Sequence, residues 1–157
     1  PNLRFLELGR SCVLEPFRTR PVVELLWQGI WNYVRHYRLD VMLGCASLEG
    51  TDPGRHAATL TFLAQNRAAP AEWRVRAHPH RYVEMNRLPA TSVDVKAALK
   101  QLPPLIKGYL RLGAKVCGEP AWDPDFNTAD FLIWLSLDKL NARYARHFDL
   151  LARSVTQ

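Results

Sequence analysis

The chain has few cysteines and no long apolar segment. Only Cys12, Cys45 and Cys117 occur among its 157 residues, without a CxxC pair, and three thiols cannot all pair within one chain. We therefore expect reduced packing cysteines of a cytosolic protein. No stretch is long and apolar enough to cross a bilayer, and the N-terminus lacks a charged-then-apolar export signal.

The chain also lacks a block of lysines and arginines, although it is basic. The net charge is +6 and the pI is about 9.6, which predicts attraction to polyanions in general. Phosphorylated cofactors, acidic carrier proteins and anionic membranes all fit, whereas the scattered arginines make nucleic acid the least expected partner. A hydrophobic content of 48% excludes a disordered chain and predicts one domain over residues 1–157.

Hydrophobic periodicity predicts an α/β fold. The strand candidates are 5–13, 40–48, 114–117 and 131–135, and the helix candidates are 21–37, 53–67, 93–113 and 137–152. The first strand, helix and strand predict a right-handed parallel crossover, and the apolar 40–48 run predicts a strand covered on both faces. We expect a mixed sheet with helices on both faces.

Prolines and loops interrupt this pattern in three places. Pro103 and Pro104 predict a break within the 93–113 helix. Residues 68–92 are rich in arginine and proline and predict a long surface excursion, and residues 119–127 predict an irregular segment.

The first turn of the chain predicts an anion site. A helix that begins near Pro21 directs its backbone N–H groups and its positive dipole end toward Arg18 and Arg20. Phosphate is the usual ligand of such a helix start, and exposed arginines of a solvated turn are the alternative.

Several segments together resemble the GNAT superfamily of N-acyltransferases, in the branch of the hemolysin-like ornithine–acyl carrier protein N-acyltransferases. The matching segments are ELGRSCV at 7–13, PFR at 16–18, LLWQGI at 25–30, LGCASL at 43–48 with GTDP at 50–53, LPPLIKGYLRLGA at 102–114 and DPDFNTADF at 123–131. The resemblance covers nearly the whole chain and implies a GNAT-like fold. Because the chain begins with Pro1 almost directly on a core strand, we expect it to be the C-terminal portion of that fold, with the N-terminal part missing.

The resemblance implies an enzyme that moves a 3-hydroxyacyl group from the thioester of acyl carrier protein to the α-amine of ornithine, giving lyso-ornithine lipid. It implies no permanently bound cofactor, and an acyl-phosphopantetheine donor on acyl carrier protein, with acyl-coenzyme A as the alternative donor. The expected location is the cytoplasm, with an anionic membrane surface as a further partner.

The turn between the first strand and helix departs from related enzymes, which have glycines where coenzyme A places its pyrophosphate. Thr19, Arg20 and Pro21 stand here instead. A proline lacks a donor and side chains crowd the approach. The departure favours a carrier-protein donor with a single phosphate, for which Arg18 and Arg20 are suitable.

Amide formation needs a neutral amine and a stabilised oxyanion. Glu7 is the expected base because a carboxylate on an apolar strand is costly without a partner or a role, and a structural ion pair with Arg10 is the alternative. Arg10 would bind the substrate carboxylate or hold Glu7, and Ser11 would donate to the developing charge. The backbone of Cys12 and Val13 would bind the pantetheine arm by strand addition.

The acceptor's second amine calls for a carboxylate. Asp125 and Asp130, with Ser47, are the expected substrate-binding residues, and turn or helix-cap roles are the alternative for either aspartate. We expect no metal, because His78 and His80 have no third ligand at telling spacing.

For several apolar and aromatic residues the sequence allows more than one role. Leu105, Ile106, Tyr109 and Leu110 would line an acyl channel or fill the core, and Trp27, Trp31, Trp122 and Trp134 are expected in packing. Rival functions are acyl-homoserine-lactone synthesis or another GNAT acyl transfer, and a non-catalytic module that binds nucleic acid or a membrane through basic residues 67–87.

Overall fold

The computed structural model describes residues 2–140 together with Tyr144 and Arg146. The described residues form five strands, β1 (Phe5–Glu7), β2 (Val41–Glu49), β3 (Lys115–Val116), β4 (Ala121–Asp123) and β5 (Thr128–Ser136). They also form four α-helices, α1 (Arg20–Tyr37), α2 (Ala57–Asn66), α3 (Val95–Gln101) and α4 (Pro104–Leu112). The predicted helix 137–152 begins as a 3-10 turn, Leu137–Lys139, and its remainder lies almost entirely outside the described residues.

The strands join in one mixed sheet. β1 runs parallel to β2, with Glu7 beside Leu43, and β2 runs antiparallel to β5 along nine residue pairs. β3 and β4 both pair with the far edge of β5. The α/β class, the mixed sheet and the parallel β1–α1–β2 crossover are confirmed, and the architecture is compatible with a GNAT-like fold.

Local sequence explains where the helices begin and end. Pro21 occupies the first turn of α1, and the helix ends at Arg38, which adopts a left-handed conformation with φ 50°. The carboxylate of Asp94 accepts hydrogen bonds from the first backbone N–H groups of α3. The predicted break at Pro103 separates α3 from α4. Within the described residues, no helix has the length and apolarity needed to cross a membrane.

One face of the sheet carries the hydrophobic core. Alternate residues of β2 and β5 are buried there, including Ala46 opposite Phe131 and Leu48 opposite Ala129. Each of the four helices adds buried side chains to the same cluster, for example Val34, Leu60, Ala98 and Ile106. The expected packing role of the tryptophans is confirmed, because Trp134 is buried and Trp27, Trp31 and Trp122 pack against this cluster.

The opposite face, called the open face below, is covered by described residues at one end only. There Trp73 of a 3-10 turn and Ala69 pack with Val41, Trp134 and Cys117. Further along β2, Cys45 and Ser47 are exposed. The sequence predicted β2 to be covered on both faces, and this was wrong. On the open face of the described structure a loop segment packs, where we expected helices.

The first strand is shorter than predicted. Its pairing ends with the hydrogen bond from Leu8 N to Leu43 O, at 2.8 Å. The chain then passes over Gly44, where a Cβ atom would lie 2.7 Å from Leu8 O, and turns at Arg10 with φ 53°. The strand predicted for 5–13 therefore ends at Glu7.

Two further sequence predictions need correction. Cys12 and Cys45 are exposed rather than core residues, and only Cys117 is buried as expected. Residues 119–127, predicted to be irregular, contain β4, which pairs with the first three residues of β5.

Candidate active site

The open face brings together three of the predicted site residues. Glu7 lies beside Leu43, and Ser47 lies opposite Asp130. Residues that pair across strands share a face, as do residues two apart along one strand. Glu7, Ser47 and Asp130 therefore project from the same face, and Cys45 lies midway between them along β2.

The sheet geometry spaces the two carboxylates. Glu7 and Asp130 stand two strands apart, about 10 Å across the sheet, and four residues apart along it, about 13 Å. Cys45 is exposed overall, but partial desolvation against the sheet raises the pKa of its thiol, and the charges of Asp130 and Glu7 raise this pKa further. Both carboxylates therefore act on one thiol, which stays protonated at neutral pH.

Glu7 is exposed, and no described residue forms a hydrogen bond or an ion pair with it. Glu7 and Arg10, which are both described, therefore do not form the structural ion pair that was the alternative role. Gly9 makes room for the carboxylate, because a Cβ atom there would lie 2.7 Å from Glu7 Oε1. Glu7 is thus available to an external amine.

Asp130 is the more enclosed carboxylate. Its Oδ1 atom is buried and has no hydrogen-bond partner among the described residues. An unpaired buried carboxylate oxygen is costly, and a cation would offset that cost. Asp125, by contrast, is exposed in the turn before β5, where its backbone N–H bonds to Asp123 Oδ1.

Residues 9–12 follow β1 without strand pairing. Arg10, Ser11 and Cys12 are exposed. Arg18 Nε donates to the Val13 carbonyl at 3.0 Å, so this oxygen is already used. Arg20 Nε pairs with Glu24 Oε1 at 2.8 Å. A donor phosphate at the start of α1 would compete with these two contacts. The Thr19 side chain does not cap the helix, so it does not occupy the backbone N–H groups at that end.

The structure does not enclose an acyl channel between the four residues for which the sequence allowed that role, Leu105, Ile106, Tyr109 and Leu110. Ile106 is buried in the core and Leu105 is exposed. Tyr109 lines a small apolar cavity with Leu8 and Gly44, where β1 leaves β2. Its volume of about 20 Å³ accommodates little more than a water molecule.

The basic excursion is held by structural contacts. Arg74 Nε donates to Ala69 O, Arg81 Nη1 donates to Trp122 O, and the guanidinium of Arg76 lies over the Tyr82 ring. These contacts weaken the rival interpretation as a nucleic-acid surface.

His78 and His80 stack their rings at 5.8 Å between centroids. Among the described residues, no group of three metal-ligating side chains forms around them or elsewhere.

Cys45 is the site residue that the sequence prediction missed. The alternation of Cys45, Ser47 and Glu49 with the apolar Ala46 and Leu48 was visible in the sequence. That alternation is typical of a strand with one open face, and it places Cys45 beside Ser47.

Comparison with known proteins gives relatives of one kind. The chain is 48% identical over 148 residues to the L-ornithine N(alpha)-acyltransferase of Brucella abortus, which covers 94% of the chain and 53% of the relative. Proteins of the same name from Agrobacterium fabrum and Rhizobium meliloti are 46% and 47% identical, again over 94% of the chain and 50% of each relative.

The chain thus spans about half the length of the curated relatives that it matches. No family model matches it, and no solved structure matches it. The resemblance to the ornithine N-acyltransferases is nevertheless confirmed, because nearly the whole chain aligns with proteins of that name.

Proposed function

We propose that the full-length protein transfers a 3-hydroxyacyl group from acyl carrier protein to the α-amine of ornithine, giving lyso-ornithine lipid. The names of the relatives support an acyltransferase that acts on ornithine. The observation that carries the proposal is the placement of Glu7 and Asp130 on one open face, on either side of Cys45.

In this proposal Glu7 is the general base. The neutral α-amine attacks the thioester carbonyl, a C–N bond forms, and the C–S bond breaks as the phosphopantetheine thiol leaves. The amine loses a proton to Glu7, and the protonated Glu7 then gives it to the departing sulfur, directly or through water, which restores the carboxylate. The carboxylate suits this role because it is exposed and no described residue pairs with it.

Asp130 binds the second amine of the acceptor. A side-chain ammonium placed against Asp130 would supply the cation that its buried Oδ1 lacks, and the Ser47 hydroxyl stands directly opposite. The methylene chain of ornithine then crosses Cys45. This requires the Glu7 and Asp130 side chains to lean toward each other, because their Cα atoms stand about 16 Å apart. A protonated thiol gives an uncharged surface under the methylene chain and avoids a third negative charge between the two carboxylates.

The donor approaches from the turn after β1. Arg18 and Arg20 would bind the phosphate of the phosphopantetheine arm at the start of α1, after releasing Val13 O and Glu24. The exposed segment around Ser11 and Cys12 would contact the arm, and Arg10 would bind the acceptor's carboxylate. We also propose a cytoplasmic protein that meets an anionic membrane surface, where its lipid product is released.

The test of the function is product formation. The full-length protein is incubated with 3-hydroxyacyl carrier protein and ornithine, and mass spectrometry locates the acyl group on the α- or the δ-amine. Parallel reactions replace ornithine with lysine or S-adenosylmethionine, and the carrier protein with acyl-coenzyme A. We expect the Nα-amide of ornithine; no amide with any amine would overturn the proposal.

The acceptor site has its own test. Asp130→Asn should raise the KM for ornithine about tenfold, because one charge-assisted contact is lost, while norvaline, which lacks the second amine, should be used as before. Asp94→Asn, at the exposed N-cap of α3 where asparagine caps equally well, is the matched control and should change neither value. An equal loss for ornithine and norvaline in Asp130→Asn would assign Asp130 a structural role instead.

A further inference from the structure

A second concave site lies at the opposite edge of the sheet from Glu7. It encloses about 360 Å³, and four basic side chains line it, namely those of Arg67, Arg111, Lys115 and Lys139. The remaining wall includes Trp134, Ser136 and Gly113. Cavities of this size hold small ligands in proteins, and nothing in the proposed acyl transfer uses this one.

The positive charge of this site exceeds the negative charge that the described structure places beside it. No aspartate or glutamate lines it, and none of the four basic residues forms an ion pair with a described residue. The carboxylate of Asp138 accepts the Ser136 hydroxyl at the edge of the site, so it offsets at most one of the four positive charges. Arg67 Nη1 donates only to the Asn66 carbonyl. Four like charges around one concavity repel one another unless an anion joins them.

Two buried donors in the wall also lack acceptors. Trp134 has an exposed fraction of only 5%, and its Nε1 has no hydrogen-bond partner among the described residues. The Nε atom of Arg67 is also buried and also has no hydrogen-bond partner among the described residues. Buried N–H groups without acceptors are rare in folded proteins. Both N–H groups are buried, so a ligand would reach them only after side chains of the wall move, and the four charges are the main attraction for an anion.

We propose that this concavity binds a phosphate group. Phosphate presents several acceptor oxygens and up to two negative charges, which matches two guanidinium groups and two ammonium groups better than a single carboxylate does. The group comes either from a small soluble phosphate compound or from the headgroup of an anionic lipid, since both offer the same chemistry.

None of Glu7, Cys45, Ser47 and Asp130 lines this site. Lys115 pairs with Trp134, Trp134 pairs with Leu43, and Leu43 pairs with Glu7. Lys115 therefore stands three strands from Glu7, about 14 Å away. The inference does not rest on the proposed acyl transfer, and its test measures binding alone.

The test compares two double variants of the full-length protein. Arg111→Gln with Lys115→Gln removes two charges from the site, and Lys96→Gln with Arg87→Gln removes two exposed charges elsewhere. Calorimetry measures binding of inorganic phosphate against sodium chloride of equal ionic strength. Cosedimentation measures binding to vesicles of equal parts phosphatidylcholine and phosphatidylglycerol, against phosphatidylcholine alone. Thermal unfolding without ligand checks that each variant is folded.

We expect the wild type and the control variant to bind at least one of the two probes, and the site variant to bind it about tenfold or more weakly. Binding of phosphate identifies a soluble source, and binding of the anionic vesicles alone identifies a lipid source. Binding of neither probe, or equal weakening in both double variants, would overturn the proposal, since only general surface charge would then be involved.

Discussion

The two faces of the sheet are built from the same strands but carry different chemistry. On the covered face, β2 and β5 present Ala46, Leu48, Phe131 and other apolar residues to all four helices. On the open face, the same strands present Cys45, Ser47 and Asp130, and β1 adds Glu7. Because alternate residues of a strand face opposite sides, the covered face supports stability and the open face carries the chemistry. A substitution should therefore affect either stability or activity, according to the face on which it lies.

The largest expected effect is on the covered face. Phe131 is 1% exposed at the centre of the sheet, opposite Ala46. Phe131→Ala should lower the free energy of unfolding by about 3–5 kcal/mol, because it leaves a cavity in the core. Cys45→Ala, on the open face of the neighbouring strand, should change it by about 0.5 kcal/mol at most. Urea denaturation measures both, and similar losses would contradict the assignment of the faces.

Glu7→Gln should give the largest effect on activity. Without a general base, kcat for ornithine acylation should fall by about a hundredfold or more, whereas the free energy of unfolding should barely change, because Glu7 is exposed. Glu72→Gln, an exposed glutamate in the 3-10 turn that carries Trp73, is the control. Full activity of Glu7→Gln at saturating ornithine would remove Glu7 from the mechanism.

Two glycines allow the faces to be compared at the point where β1 ends. A Cβ atom at Gly44 would meet the backbone oxygen of Leu8, whereas one at Gly9 would meet only the carboxylate of Glu7, each at 2.7 Å. Backbone cannot give way easily, so Gly44→Ala should destabilise the fold by about 1–3 kcal/mol.

Gly9→Ala should instead leave stability nearly unchanged, because the end of a flexible side chain can move. It should lower kcat by displacing Glu7. Thermal unfolding and kcat, measured on both variants, separate the two effects; a Gly9→Ala enzyme with normal kcat would show that the position of the Glu7 carboxylate is not critical.

Local patterns were enough to predict much of the fold. The helix predicted for 21–37 is α1 (Arg20–Tyr37), and the proline pair does separate α3 from α4. The short β4 was missed because its pairing with β5 depends on contacts that no local pattern contains. β1 was predicted too long because the approach of Leu8 O to Gly44 is a tertiary contact.

The candidate site was predicted in part. Glu7, Ser47 and Asp130 were named from the sequence, but their common face depends on the register of three strands, two of them far apart in sequence. Cys45 was assigned to the core because its neighbours are apolar. Cys45 is exposed instead, because no helix within the described residues covers that side of β2.

The smallest expected effect tests the geometry of the open face without catalysis. Burial and the charges of Asp130 and Glu7 raise the pKa of Cys45, so its thiolate is scarce below that pKa and alkylation should accelerate as pH rises. Asp130→Asn should lower the pKa and speed alkylation by iodoacetamide about two- to threefold at constant pH, and Glu7→Gln should do so by less, because Asp130 is the stronger of the two charges. Mass spectrometry of the Cys45 peptide gives the rates, with exposed Cys12 as the internal reference. Equal Cys45 rates in the wild type and both variants would mean that the two carboxylates do not flank this thiol, and ornithine could not then span them across β2.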